Sequence, residues 1–219
     1  MTAPSRQTLA SAAASLEADV LRILQARARP AHAATSDAPV LILTIGLPAS
    51  GKSTFARRLA PQIDAVILES DALRRLLFDA PVYSRSESQR LFAALHGAAR
   101  ELLLAGCNVI IDATSITDSD RRPAYDVAEQ TGARLLLLSF TAPEDVIKHR
   151  LAQRLESADP QEASSAGLRV YRRMAARSQA PSSEHWNLDT SNAAEVEAAL
   201  SRVVEACRPS GGRAMGGIR

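Results

Sequence analysis

Residues 43–59 read LTIGLPASGKSTFARRL, and the fold follows from how that stretch is built. An apolar run ends in Gly46, then Gly51, Lys52 and Ser53 complete the pattern G-x-x-x-x-G-K-[ST], and helical sequence follows. Glycines let a backbone approach a polyanion closely. Backbone N–H groups between Gly46 and Ser53 turn inward at a helix N-terminus, where the dipole favours negative charge. Lys52 is placed for the β- and γ-phosphates of a nucleotide and the Ser53 hydroxyl for a magnesium ion. Gly46, Pro48, Ala49, Ser50, Gly51, Lys52, Ser53 and Thr54 are therefore the expected nucleotide-binding segment, with ATP and Mg2+ as its cofactors.

On either side of this loop, short apolar runs alternate with helical patterns. VLILTIG (40–46), AVILES (65–70), NVIIDAT (108–114), RLLLLSF (134–140) and a weaker WNLDT (186–190) read as strands. Between them lie a helix opening at Lys52, a short one after Asp71, and a long one that carries Leu91, Leu95, Leu102 and Leu103 to a stop at Gly106. Further helices run to Gly132, from Pro143, beyond a polar break at 156–165, and over Val196 to Val204. Near-continuous apolar strands separated by helices predict an α/β fold with a buried parallel sheet covered on both faces. Ligands of such sheets bind beyond the carboxyl ends of the strands.

The composition sets bounds on the rest. The chain has 219 residues, 46% hydrophobic and 23% charged, with a net charge of +2. That balance neither implies nor excludes nucleic acid, and it suits one domain with a segment to spare. Cys107 and Cys207 have no metal-ligand or redox spacing, and His32, His96, His149 and His185 are scattered. No run approaches the ~20 apolar residues of a membrane span, so a cytoplasmic protein is expected.

Residues 1–38 read as an amphipathic helix and linker: Leu9, Ala13, Leu16, Val20 and Ile23 share one face, and the pattern breaks at Pro30. This helix either packs on the main body or serves as a handle for oligomerisation or a partner; Glu17 and Asp19 argue against a transit peptide. Residues 39–207 form the expected catalytic domain, and the Gly-rich residues 208–219 an unstructured tail.

No N-K-x-D base-reading motif of a GTPase is present, and the third strand closes on a single acid, Asp112, where a mechanical ATPase would carry consecutive ones. Both facts favour a phosphotransferase. Asp112 is the natural acidic partner of Ser53 in a magnesium shell, directly or through water; its alternative is to cap a turn.

Taken together, GLPASGKST, ESDALRR, YSRSE, AGCNVIIDAT and TAPEDVIKHRL resemble the small P-loop kinases related to polynucleotide kinases and zeta-type toxin kinases, over about residues 40–190. The resemblance implies a three-layer fold around a five-stranded parallel sheet of order 2-3-1-4-5 with a helical lid. It further implies that Asp71 accepts the proton of the substrate hydroxyl and that Arg74 helps to hold the acceptor or its phosphate. In YSRSE the acid stands one residue later than the family pattern, so Glu87 receives no role. The residues support Asp71 independently, because a carboxylate at a strand's carboxyl end can face the γ-phosphate. Asp71 also reads as the N-cap of the next helix. Arg74 and Arg75 have a solvated-face alternative. Thr114, Arg121 and Arg122 follow the third strand and are candidates for the acceptor pocket, whereas Thr117 and Asp120 read equally as a capping box.

At about 100° per residue, Val146, Ile147, Leu151 and Leu155 occupy one half of the helix after Pro143, and Arg150 and Arg154 fall inside that apolar arc. Guanidiniums so placed need anions, and phosphates are at hand; a structural ion pair or snorkelling is the alternative. Arg150 and Arg154 are accordingly expected on a lid near 150–178 that closes over the ATP phosphates. Arginines 169, 173 and 177 form a stripe, solvated or in touch with a polyanionic acceptor. Aromatic residues make up only 4% of the chain, too few for the stacking platform of a single-strand binder. The expectation is thus an ATP- and magnesium-dependent kinase acting on a hydroxyl of a small-molecule or nucleotide-like acceptor. A polynucleotide 5′-hydroxyl kinase and an ATP-binding regulatory module are the alternatives.

Overall fold

In a computed structural model, residues 38–153 and 160–208 are described, the side chains of 160–166 excepted. The expected N-terminal helix, the tail beyond 208 and Arg154 lie outside the described residues.

Five strands, β1 (Val40–Ile45), β2 (Ala65–Glu69), β3 (Asn108–Asp112), β4 (Arg134–Thr141) and β5 (Trp186–Asp189), form one sheet. They are all parallel and ordered β2-β3-β1-β4-β5, as the resemblance implies. Among the described residues seven α-helices surround them: α1 (Lys52–Leu59), α2 (Ser70–Leu77), α3 (Arg85–Leu104), α4 (Asp118–Thr131), α5 (Glu144–Gln153), α6 (Pro160–Ala175) and α7 (Ala193–Cys207).

The unbroken apolar runs make sense because both faces of the sheet are covered. From β1, Leu41, Leu43 and Ile45 point into a core shared with Leu91, Leu95 and Leu102 of α3 and Ala124 and Val127 of α4. Val40 and Ile42 point the other way, against Phe55 and Leu59 of α1 and Leu200 and Val203 of α7. Each such buried leucine is worth about 1.5–3 kcal/mol over an exposed one. In the second core the Phe55 and Phe140 rings meet edge to face, 5.2 Å apart.

At the strands' starting ends one side chain ties three segments together. The Val40 N–H donates to Asn108 Oδ1 at 2.8 Å, and Asn108 Nδ2 donates to the Ile63 carbonyl at 2.8 Å.

Helix ends explain most of the boundaries. Gly106 (φ 81°) follows α3 with its N–H on the Leu103 carbonyl and that of Cys107 on Leu102, the paired bonds of a Schellman stop. Thr117 and Asp120 close a capping box on α4. Three expectations shift. The second strand ends at Glu69 and α2 begins at Ser70, so Asp71 lies in the first turn of the helix and Glu69 holds the cap position. The third strand stops at Asp112, where the chain must leave the sheet to form the cleft wall. Part of the polar stretch 156–165 is helical, since Pro160 opens α6 with a φ already suited to a first turn. Among the described residues no helix is long and apolar enough to cross a membrane.

Candidate functional site

The loop between β1 and α1 holds a conformation that its sequence permits at few other places. Gly46 has φ 151°, and a Cβ there would stand 2.6 Å from the Phe140 carbonyl oxygen. Gly51 has φ 92°, and a Cβ there would meet Thr190 Cγ2 at 2.9 Å. Both positions exclude a side chain by crowding and by backbone conformation. Ala49, at φ 63°, carries a strained left-handed backbone between them. The Gly46 N–H donates to the Thr114 carbonyl at 2.9 Å, fastening the loop to the chain beyond β3.

A cleft of about 420 Å3 opens in front of this loop, lined by Gly51, Lys52, Ser53, Asp71, Asp112 and Thr114 among others. Parallel register explains the convergence: Glu69 and Asp112 are partners on neighbouring strands, and both strands end at the cleft. Asp112 is buried, and burial raises its pKa above the ordinary aspartate value. A hydrogen bond from Ser53 and the positive charge of Lys52 oppose that shift, while the charge of Glu69 reinforces it. The Thr44 hydroxyl, fully buried on β1, lies 3.4 Å from Asp112 Oδ1 and accepts from the Ala113 N–H at 3.3 Å, holding the carboxylate's backbone in place. Lys52, itself buried, donates to the Leu47 carbonyl at 2.9 Å.

Asp71 is exposed on the cleft wall, and Arg74 is buried one turn further along α2. The solvated-face reading of Arg74 is therefore wrong. Its Nη1 lies 3.5 Å from Glu87 Oε2, its Nη2 donates to Ser88 Oγ at 3.3 Å, and its guanidinium sits 4.7 Å from the centre of the Tyr83 ring. Arg75 is exposed.

A second cavity of about 430 Å3 lies on the other flank of the loop, lined by Thr54, Arg58, Arg150, Thr190 and Val196 among others. Here Arg150 donates to the Ala49 carbonyl at 3.2 Å and to Thr190 Oγ1 and the Thr190 carbonyl at 2.8 and 2.7 Å. Thr190 Oγ1 in turn donates to the Ser50 carbonyl at 2.9 Å. The apolar arc of α5 is real, with Ile147 and Leu151 buried, but Arg150 satisfies its charge on carbonyl oxygens at the loop.

Arg121 departs from expectation. Its side chain is fully buried, with Nη1 donating to the Ser115 and Gln179 carbonyls at 3.1 and 3.0 Å and Nη2 paired with Asp118 Oδ1. It ties the start of α4 to the segment after α6 and does not line the cleft, so the expected acceptor contact is withdrawn. Arg122 is exposed and pairs with Asp126 at 3.0 Å along α4. Thr114 does line the cleft. Sequence reasoning missed Thr44, Glu69, Tyr83 and Thr190 and gave Glu87 no role; Thr44, Glu69 and Thr190 act through neighbours distant in the chain, whereas Glu87 accepts from the nearby Val82 and Tyr83 N–H groups.

Residues 41–181 match the AAA domain family. Over 120 residues, 52% of the chain, the sequence is 28% identical to an L-seryl-tRNA(Sec) kinase of Methanococcus maripaludis, of which the match covers 46%. The chain thus spans about half the length of that relative. The fold is similar to that of Mycobacterium tuberculosis APS kinase in complex with AMPPNP and APS (TM-score 0.60, 18% identity, covering 76% of this chain and 96% of that one). It is similar too to Chaetomium thermophilum Kti12 in complex with ADP-AlF3 (TM-score 0.59, 20% identity, 77% and 100% covered). By the match over residues 41–181 the chain belongs to the AAA domain family, and it has the fold of the small P-loop kinases.

Proposed function

We propose that the protein is an ATP- and magnesium-dependent phosphotransferase that moves the γ-phosphate of ATP to a hydroxyl of a small-molecule or nucleotide-like acceptor. One observation carries this reading: the phosphate loop with Lys52 and Ser53, the buried Asp112 and the exposed Asp71 all open onto a single cleft. A protein that only sensed ATP could use Asp112 for magnesium but would need no second, exposed carboxylate such as Asp71 in the same cleft. The seryl-tRNA kinase among the relatives supports the same reaction class.

In this reading the nucleoside end of ATP lies in the cavity beside Arg58, Arg150 and Thr190, and the phosphates follow the loop into the acceptor cleft. Backbone N–H groups and Lys52 neutralise phosphate charge, which is most of what phosphoryl transfer asks of a protein. The acceptor oxygen attacks the γ-phosphorus as the bond to the β–γ bridging oxygen breaks; Asp71 takes the acceptor's proton and ADP leaves. Ser53 and Asp112 would hold magnesium: a hydroxyl and a carboxylate are hard oxygen donors, and a site with so few protein ligands suits an ion that keeps waters and phosphate oxygens around it. Magnesium supplies further charge neutralisation at the phosphates. Arg150 is within reach of the loop and would exchange its carbonyl partners for phosphate oxygens when the nucleotide binds.

The deciding experiment follows labelled γ-phosphate from ATP to a panel of nucleosides, sugar nucleotides, aminoglycosides and 5′-hydroxyl oligonucleotides. A labelled product that disappears with Asp71→Asn, while ATP affinity stays, establishes the transferase. ATP binding without any labelled product favours a regulatory module instead.

A further inference from the structure

Tyr83 stands out as a bulky residue in a backbone conformation that favours glycine. Its φ is 56°, in the turn between α2 and α3, and the residue is 69% exposed at the mouth of the acceptor cleft. Strain of this kind persists only where the surroundings impose it. Here they do. The Glu87 carboxylate accepts from the Tyr83 N–H at 2.7 Å and from the Val82 N–H at 3.0 and 3.1 Å. The same carboxylate lies 3.5 Å from Arg74 Nη1, and that guanidinium stacks behind the tyrosine ring at 4.7 Å. Arg74 and Glu87 are both nearly buried, at 8% and 13% side-chain exposure, so a desolvated ion pair serves to fix one exposed aromatic ring. The packing of the core does not need Tyr83, since its ring is not part of any apolar cluster.

Further apolar side chains line the same cleft. Phe92 of α3 and Val170 and Met174 of α6 line the same space, and Val170 is 51% exposed. Apolar surface in the cleft that Asp71 also lines suits a flat ring stacked on Tyr83, and a guanidinium behind the tyrosine makes that ring a better partner for an electron-rich one.

We infer that Tyr83 is the specificity residue of the acceptor site, a platform preset by Glu87 and Arg74 against which a heteroaromatic ring of the acceptor stacks. The inference rests on the transferase reading for the location of the acceptor. It restores a role to Glu87, which positions Tyr83 and touches no substrate.

The test is direct binding to protein saturated with AMPPNP and magnesium, so that the nucleotide site is filled. The probes are the four ribonucleosides as ring-bearing alcohols and ribose as the ringless one, measured by calorimetry on the wild type, Tyr83→Gly and Tyr83→Phe. At least one nucleoside is expected to bind tenfold or more tightly than ribose. That preference is expected to fall at least fivefold in Tyr83→Gly and to survive in Tyr83→Phe. Glycine accepts a φ of 56° without strain, so Tyr83→Gly is also expected to melt no lower than the wild type, which separates a functional loss from misfolding. Failure of every nucleoside to outbind ribose, or a preference that persists in Tyr83→Gly, overturns the inference. Because no turnover is read, a protein that stacks nucleosides yet transfers no phosphate would sink the transferase reading and leave the platform standing.

Discussion

Arg150 Nη1 donates to Thr190 Oγ1 at 2.8 Å, and this one contact joins three parts of the proposed nucleotide site. Through it the arginine of α5, the end of β5 and the Ser50 carbonyl of the phosphate loop share a hydroxyl. Thr190→Val keeps the shape and removes that hydroxyl. The loss of about 1 kcal/mol expected for such a bond should lower AMPPNP affinity roughly fivefold by calorimetry. An unchanged affinity would show that the loop holds its form without Thr190.

Gly46 and Gly51 are intolerant for different reasons, and their alanine variants should differ. A methyl at 46 meets the Phe140 carbonyl, part of the sheet's own backbone, whereas a methyl at 51 meets only the side chain of Thr190. Gly46→Ala is expected to cost about 2 kcal/mol or more in stability and to abolish AMPPNP binding. Gly51→Ala should melt closer to the wild type while still losing nucleotide affinity. Thermal melts alongside calorimetry rank the two.

Arg121 makes the sharpest separation between stability and chemistry. Arg121→Met retains the apolar stem but leaves the Ser115 and Gln179 carbonyls without their donor. The expected cost is about 3 kcal/mol, read from urea denaturation. Acceptor affinity in the fraction that remains folded should be unchanged.

Burial raises the Asp112 pKa in the folded protein, which fixes the sign of its pH effect. A carboxyl whose folded pKa is raised contributes stability that is fully present below the unfolded aspartate value of about 3.9 and is lost as pH rises through the folded value. Ionised Asp112 therefore costs stability at neutral pH in the nucleotide-free protein. Asp112→Asn should melt higher than the wild type near pH 7, the gap should close towards about pH 4, and magnesium-dependent AMPPNP binding should weaken. A variant that melts lower throughout would mean that the Ser53 bond and the Lys52 charge outweigh burial.

The strands and the loop were legible because they rest on local signals, apolar runs, glycine spacing, a Gly after α3 and a capping box at Thr117, whereas the strand order came from the family resemblance. The cleft was legible only as far as motifs extend along the chain. Asp71, Asp112 and Thr114 were found because each sits at or just beyond a strand end, and that position delivers a residue to the cleft; Arg74 came from the family resemblance. Arg121 obeyed the same rule and was misplaced, since its orientation is decided by carbonyl groups near residue 180 that no local pattern reveals. Thr190 was missed for the mirror-image reason: a threonine after a weak strand looks ordinary and acquires meaning only from the Ser50 carbonyl and the Arg150 guanidinium that folding brings against it. Glu87 was set aside because it stands one residue off the family pattern, although the N–H groups it accepts from lie only four and five residues before it.

The Asn108 amide, bonded to Val40 and Ile63, seals the sheet at the end opposite the cleft. Four residue steps along β3, roughly 13 Å at about 3.3 Å each, separate that seal from the carboxylate at the other end of the strand. Changes of sequence around the mouth are therefore mechanically insulated from the seam that aligns the strands. Evolution can redraft the turn that carries Tyr83, and with it the molecule received there, without renegotiating the register of the sheet underneath.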